Sequence, residues 1–204
     1  GNCVILPNIN GRGYGFFKIT EGESSGLWSV LRSSEDEVLK GSLLITLYEN
    51  LRWKTISPQG FRDEMLAYLP NESNSLLFSM ALSYLGDCQR IFPSDSCPLE
   101  EALWKIVTTN PVSQHRLQAF RLYRSIADSE EAVQRLYTLW QERKAPKDCT
   151  LSESDYIGLS YILAIHLPEK ADKIIATQLS RIQNPDRKKE YQFISPSVSP
   201  RKAE

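Results

Sequence analysis

The stretch with the clearest chemical potential is residues 12–19 (RGYGFFKI), in which aromatic side chains and glycines are flanked by basic residues. It fits five of the seven specified positions of the RNP1 strand, on which RNA-recognition domains stack bases. Such a domain also needs a second aromatic strand upstream, yet only eleven residues precede Arg12, and helical patterns follow. We therefore expect a glycine-rich strand after a tight turn rather than RNA binding. The spacing Gly11-x-Gly13-x-Gly15 opens no helix, so it does not predict a phosphate-binding loop.

The two histidines, His115 and His166, lack the spacing of a metal site. The sequence contains no His-Glu-x-x-His motif, and no cysteine lies beside either histidine. It also lacks the Gly-x-Ser-x-Gly motif of serine hydrolases. We expect His115 to be a solvated residue in the first turn of a helix and His166 to act as a cation or cap at a helix C-terminus. These residues predict neither a catalytic nor a metal-binding site in the chain.

The four cysteines are scattered without a C-x-x-C motif, and only Cys88 and Cys97 flank one short irregular loop, residues 89–96. In an oxidising compartment these two could form a disulfide, which closes a short loop and stabilises by about 2–3 kcal/mol. Two half-buried thiols are the alternative, and the spacing alone does not decide between them.

Composition excludes several classes of protein. Of the 204 residues, 41% are hydrophobic and 24% are charged, a mixture that can bury a core and is not typical of disorder. The net charge of −1 gives no overall basic field that would attract nucleic acid or an anionic membrane. The longest apolar run, residues 156–165, is about half the length of a membrane span and indicates a buried helix.

Residues 3–20 differ from the rest of the chain, because two short β-prone runs, residues 4–6 and 14–19, enclose turn residues that include Asn10-Gly11. This pattern predicts a β-hairpin. A lone hairpin is marginally stable in water, so we expect it to belong to a sheet that precedes this chain. The chain is accordingly interpreted as a fragment of a longer protein, with a hairpin remnant at residues 1–22 and a helical domain at residues 23–204.

The remainder predicts helices, each with a recognisable start signal. Two are capping boxes, Ser34-x-x-Glu37 and Ser152-x-x-Asp155, and several others are a cap residue followed by proline, as in Ser57-Pro58. The predicted helices cover residues 34–51, 57–68, 71–85, 97–108, 110–127, 129–142, 152–165 and 168–182, with a short last turn at 184. In the first of them, Val38 and Ile45 lie opposite the leucine stripe, which predicts a helix buried between neighbours on both sides.

About eight helices with short connectors predict an all-α fold of antiparallel helix hairpins, stacked as an irregular HEAT-like α-solenoid. An α-solenoid of this kind typically binds a peptide or protein on its concave face. An α-solenoid module that binds a protein or peptide is therefore one interpretation of the chain.

The order of features also resembles a known family. Residues 4–17 (VILPNINGRGYGFF) resemble the last hairpin of the β-sandwich domain in aminopeptidase N-type zinc metallopeptidases, which leads directly into a C-terminal helical, HEAT-like domain. Residues 27–31 (LWSVL) and 40–51 (KGSLLITLYENL) are similar to the start of that domain. Residues 183–196 (QNPDRKKEYQFISP) look like bacterial members, which favours the bacterial cell envelope as the compartment.

The resemblance implies a non-catalytic piece of a peptidase. The His-Glu-x-x-His helix with its distal Glu, the Gly-x-Met-Glu-Asn string and the transition-state tyrosine of the family are all absent from this sequence. The zinc ion and the general base would lie upstream in the parent protein, and no cofactor would be bound here. The partners would be the upstream catalytic and β-sandwich domains and the parent's peptide substrate, with no nucleic acid and no membrane span.

In the family the helical domain encloses the active-site cavity and limits access to peptides, and some of its polar side chains line the cavity. The resemblance points to Arg116, Arg121 and Arg124 as residues that could have this role; a solvated helix face is the alternative for each.

Overall fold

The computed structural model describes residues 16–198, and its regular structure is entirely helical within that range. The ten α-helices are α1 (Glu21–Ser33), α2 (Glu37–Arg52), α3 (Pro58–Tyr68), α4 (Ser75–Ile91), α5 (Cys97–Thr109), α6 (Ser113–Ile126), α7 (Glu130–Glu142), α8 (Glu153–His166), α9 (Ala171–Arg181) and α10 (Pro185–Ile194). Short 3-10 turns lie at Leu69–Asn71, Pro168–Lys170 and Ser195–Ser197. The all-α class is confirmed. The predicted β-hairpin lies mostly outside the described residues, and residues 16–20, which are described, form no strand.

Most helices begin where the sequence predicts them to begin. Ser57 caps α3 with Pro58 behind it, and Ser129 caps α7. The Ser152–Asp155 capping box opens α8, with both reciprocal hydrogen bonds present. Asn184 accepts from two backbone N–H groups at the start of α10. These starts are set by side chains within four residues of one another, which is why the local sequence identifies them.

Three start signals were wrong by a few residues. Asp36, not Ser34, caps α2, and its carboxylate accepts from the N–H groups of the second and third helical residues. The fourth helix begins after Asn74 rather than at Asn71. The sixth begins at Ser113, because Asn110 accepts a hydrogen bond from the Val112 N–H group in the turn before the helix instead of capping it. In α2 and α4 a second polar side chain two or three residues later forms the cap, whereas α6 begins after Val112 with no side-chain cap.

The described helices form two compact units, one comprising α1–α4 and the other α5–α10. In the first unit, α2 packs on α1 and α4, and α3 packs on α4. Tyr48 of α2 stacks on Tyr84 of α4 with ring centroids 4.0 Å apart, while Lys40, one turn into α2, binds Glu72 just before α4. The first turn of α2 thus lies beside the start of α4, and later turns of the two helices also lie side by side. The two helices therefore run in the same direction.

The prediction that α2 is buried on two faces is wrong for the described residues. Leu43, Leu47 and Leu51 are buried, but Val38 is 77% exposed and Ile45 is also exposed. The sequence of α2 does contain two apolar stripes, but only the leucine stripe packs against neighbouring helices.

In the second unit, α5 and α6 form an antiparallel hairpin, and α8 packs on α7, α9 and α6. The buried carboxylate of Glu100, in the first turn of α5, accepts hydrogen bonds from the Asp128 N–H group at 2.8 Å and from the Ser129 N–H group at 3.2 Å. It also accepts from the Ser129 hydroxyl. One side chain therefore joins the start of α5 to the start of α7.

Candidate functional site

Asp155, in the first turn of α8, is the centre of a polar cluster that includes two of the arginines named above. Arg121 of α6 donates to both carboxylate oxygens, Nε to Oδ1 at 3.0 Å and an Nη atom to Oδ2 at 3.1 Å. This is the two-point arrangement in which a guanidinium group binds a carboxylate most strongly. The Ser152 N–H and hydroxyl groups also donate to Oδ2, at 3.0 and 2.7 Å. Asp155 thus holds α6 against the loop that opens α8.

The charge of Asp155 is stabilised despite its burial. Burial raises the pKa of this carboxyl group, but the hydrogen bonds from Arg121 and Ser152 outweigh burial and lower the pKa to about 2. Asp155 is therefore ionised over the whole physiological pH range, and the cluster is a fixed ion pair rather than a proton-transferring group.

Arg124 lies one turn further along α6 and is only 18% exposed at its side chain. One Nη atom donates to the Asp155 main-chain oxygen at 3.0 Å and lies 3.5 Å from the Asp155 carboxylate. Burial lowers the pKa of Arg124. Its Nε–H group is buried and has no hydrogen-bond partner among the described residues. A solvated helix face, the alternative given for this residue, is wrong, because its guanidinium group lies against α8.

The guanidinium group of Arg124 packs directly on the backbone of Gly158. Replacing Gly158 with alanine would place a Cβ atom 3.1 Å from the Arg124 guanidinium carbon, closer than ordinary van der Waals contact. Alanine at a helix-interior position normally stabilises by about 1 kcal/mol relative to glycine. We expect Gly158→Ala to lose that gain or to lower stability, because Arg124 must shift away from Asp155.

The matched control is Gly41→Ala in α2, whose added Cβ atom would meet only Leu77 and Met80 at 3.7 Å or more. Thermal unfolding of the two variants measures the difference, and an equal rise in melting temperature for both would contradict the proposed contact.

Arg116 pairs with a different carboxylate. Its Nη1 atom lies 3.1 Å from Asp148 in the loop between α7 and α8, and its side chain is only 12% exposed. Its buried Nε–H group, like that of Arg124, lacks a partner in the part of the chain that the structure describes. Of the three predicted arginines, only Arg121 is substantially exposed, at 49% of its side chain. All three form ion pairs within the α6–α8 region, and a role in lining the parent's cavity remains a prediction.

A second polar site, not predicted from the sequence, surrounds Asn50 in the first unit. This side chain is fully buried in α2. Its Oδ1 atom accepts from the Ile19 N–H group at 2.9 Å and from the Thr55 hydroxyl at 2.6 Å. Its Nδ2 atom donates to the main-chain oxygens of Phe17 and Thr46, each at 2.9 Å. Both donors and both acceptor positions of the amide are therefore used.

These hydrogen bonds attach the segment that precedes α1 to helix α2. We call them the Asn50 contact. Asn50 binds the main chain of this non-helical segment at two residues, Phe17 and Ile19, and the Ile19 side chain is buried. The next residue, Thr20, caps α1 in a capping box with Glu23. Outside the contact, Phe16 lies against Trp53 with ring centroids 5.6 Å apart. An asparagine on the leucine-rich, buried face of α2 was the signal in the sequence that could have identified this site.

The two cysteines of the predicted disulfide are both thiols in the structure. Cys88 is buried in α4, where the Arg62 guanidinium group lies 3.6 Å from its sulfur. Burial raises the pKa of this thiol. Cys97 is exposed at the first residue of α5. The disulfide remains a prediction.

The prediction for His115 was wrong, because its side chain is fully buried rather than solvated. His166 ends α8 as predicted, with Nδ1 3.9 Å from a carboxylate oxygen of Asp128. No three His, Cys, Asp or Glu side chains of residues 16–198 lie together in a way that could hold a metal ion. None of the helices described is both long enough and apolar enough to cross a bilayer.

Comparisons of the chain with family models, with curated proteins and with solved structures find no match.

Proposed function

We propose that this chain is the non-catalytic C-terminal helical domain of an aminopeptidase N-type zinc metallopeptidase, which encloses the active-site cavity and limits peptide access. The resemblance supports this proposal through four sequence strings that follow the family's order from residue 4 to residue 196. The all-helical body agrees with what the resemblance implies for this part of the family's chain. The helix pairs would stack as a HEAT-like solenoid in the parent protein.

The observation that carries the proposal is the Asn50 contact. A domain that covers a catalytic site must be held in a fixed position relative to the preceding domain. Here the segment that would arrive from a β-sandwich is bound by Asn50 at Phe17 and Ile19, and α1 begins two residues later. No flexible linker lies between Phe16 and α1, so the position of the preceding domain would be transmitted directly to α1–α4.

The zinc ion would belong to the parent protein, not to this chain. The sequence lacks a His-Glu-x-x-His motif, and the residues that the structure describes bring no three candidate ligands together, so they do not fit the family's zinc site. The role left for this chain is mechanical: it would position peptides and exclude water above a site built by upstream residues.

The isolated chain is accordingly expected to hydrolyse no aminoacyl 4-nitroanilide, with or without added zinc, because it holds neither the metal ligands nor the general base of the family. Absorbance assays with alanyl and leucyl substrates measure this directly. Zinc-dependent turnover that a chelator abolishes would contradict the prediction.

The reading frame that precedes Val4 in the parent gene supplies the second test. A His-Glu-x-x-His motif followed by a distal Glu, together with zinc-dependent aminopeptidase activity of the full-length protein, would support the proposal. Unrelated upstream domains and an inactive full-length protein would favour the interaction module instead.

A further inference from the structure

Two arginines of the second unit lie at the C-terminal end of α7 without a carboxylate partner. Arg181 of α9 donates from Nη1 to the Trp140 main-chain oxygen at 3.0 Å and from Nη2 to the Gln141 main-chain oxygen at 3.2 Å. Its guanidinium carbon lies 4.9 Å from the Trp140 ring centroid. Arg181 is therefore fixed in place by two main-chain oxygens and one aromatic ring. Three of its five N–H groups are not used by these hydrogen bonds.

Arg143, two residues after Gln141, is the second cation of this pair. Its guanidinium carbon lies 5.1 Å from the Tyr156 ring centroid, the arrangement of a cation–π contact. Both cations influence the same tyrosine: burial raises the pKa of Tyr156, and the charges of Arg143 and Arg181 act in the opposite direction. Arg143 and Arg181 also repel each other, since burial first and the charge of Arg143 second lower the pKa of Arg181.

The carboxylates near this end of α8 are already paired with other cations. Asp155 binds Arg121 and Arg124, Asp148 binds Arg116, and Glu153 binds Arg187 at 3.3 Å. Among the described residues, no carboxylate forms an ion pair with Arg143 or Arg181. The loop that follows α7 adds Lys144 and Lys147 to the positive charge.

The backbone at Arg143 has an unusual conformation. This residue ends α7 with φ 54° and ψ 35°, the left-handed region in which glycine is the usual residue. An arginine at this position accepts backbone strain, two residues from Gln141, whose main-chain oxygen binds Arg181. Backbone strain of this kind is often found at binding sites, where the position of a side chain matters more than local stability.

We propose that Arg143, Arg181 and the Tyr156 hydroxyl group form a binding site for the phosphate group of a small phosphomonoester. Two guanidinium groups match the two negative charges of such a dianion, and a planar guanidinium group donates to two of its oxygens at once. The aromatic rings of Trp140 and Tyr156 hold the guanidinium faces. This leaves for the ligand the N–H groups of Arg143 and the three N–H groups of Arg181 that its main-chain hydrogen bonds do not use. This site is independent of the proposed peptidase role.

The test is a titration of the full chain, labelled with ¹⁵N, with inorganic phosphate and separately with O-phosphoserine, followed by the amide signals of Arg143 and Lys144. Sodium chloride at matched ionic strength is the reference. We expect saturable shifts with both phosphate probes. Arg143→Gln is expected to raise the Kd about tenfold, the effect of losing one charge-assisted bidentate contact. The matched control is Lys105→Gln, which removes one exposed charge from α5 and is expected to change the Kd by less than about twofold.

The variant Arg143→Gly distinguishes a role in phosphate binding from a role in stability. Glycine adopts the left-handed backbone conformation without strain, but it lacks the guanidinium group. We expect this variant to lose phosphate binding without a lower melting temperature. A lower melting temperature, with binding retained, would assign Arg143 a structural role and overturn the proposal. Shifts that chloride reproduces, or an equal loss of affinity in Arg143→Gln and Lys105→Gln, would overturn it as well. Saturable shifts with inorganic phosphate alone would identify free phosphate, rather than a phosphomonoester, as the ligand.

Discussion

Replacing Asn50 with aspartate is expected to lower the free energy of unfolding of the first unit by about 2–4 kcal/mol. The substitution preserves shape but converts the Nδ2 donor into a second oxygen. That oxygen would face the main-chain oxygens of Phe17 and Thr46, now each 2.9 Å from Nδ2, with no hydrogen atom between them. It would also place a charge in a fully buried position. Both effects are unfavourable, so the leading segment is expected to detach from α2.

Chemical denaturation followed by tryptophan fluorescence measures this loss, because Trp28 lies in the buried core of the same unit. The matched control is Asn184→Asp, which makes the same change at the exposed cap of α10, where aspartate accepts the same two backbone hydrogen bonds. That control is expected to change stability by less than about 0.5 kcal/mol. If both variants unfold at the same denaturant concentration as the unmodified chain, the Asn50 contact contributes nothing to stability.

The second large loss of stability is expected for Asp155→Asn, and the size of this loss depends on pH. The folded-state pKa of Asp155, about 2, is below its ordinary value of 3.8. A carboxyl group whose pKa is lowered by folding stabilises the protein above its unfolded-state pKa, and the contribution disappears as the pH falls through the folded-state pKa. The ionised group therefore contributes about 2 kcal/mol at neutral pH, and this contribution is lost between about pH 4 and pH 2.

Asparagine cannot ionise, so the difference in unfolding free energy between the unmodified chain and Asp155→Asn should shrink across that pH window. Denaturant unfolding at several pH values between 2 and 7 measures the difference. The control is Glu169→Gln, which removes an exposed carboxylate whose ion pair with Lys170 spans 3.8 Å. Exposed ion pairs of this kind contribute little to stability, so Glu169→Gln should change the free energy of unfolding only slightly at every pH. A difference for Asp155→Asn that stays constant from pH 7 to pH 2 would show that the ion pair with Arg121 does not stabilise the fold.

The sequence predicted those parts of the fold that depend on neighbouring residues. The starts of α3, α7, α8 and α10 follow from cap side chains and prolines that act within one turn. The leucine stripe of α2 is likewise a local pattern, and its burial was predicted correctly. The wrong prediction for Val38 and Ile45 has a different cause: an apolar stripe shows that a helix could pack there, but only the whole fold decides whether a neighbour covers it.

The polar sites depended on contacts that the sequence does not place. Asn50 binds Ile19, 31 residues away, and Arg121 binds Asp155, 34 residues away. Arg124 resembles a surface residue in the helical pattern of α6, yet α8 covers it. The burial of His115, by contrast, follows from helical spacing, because His115 lies four residues before Ala119 and eight before Tyr123 on the buried face of α6. The prediction failed because it relied on the position of His115 in the first turn.

The parallel course of α2 and α4 has an electrostatic consequence at Glu72. Each helix carries a macrodipole with about half a positive charge at its N-terminus, and two parallel neighbours bring those ends side by side, where they repel each other. Glu72 is buried at this point, accepting from Lys40 in the first turn of α2 at 2.8 Å and from the N–H group of Asn74, the cap of α4, at 2.7 Å. Burial raises the pKa of Glu72, but hydrogen bonds from Lys40, Tyr68 and Asn74 lower it below its ordinary value. The buried anion thus offsets both the Lys40 ammonium group of α2 and the positive end of α4, which favours two adjacent helices that run in the same direction.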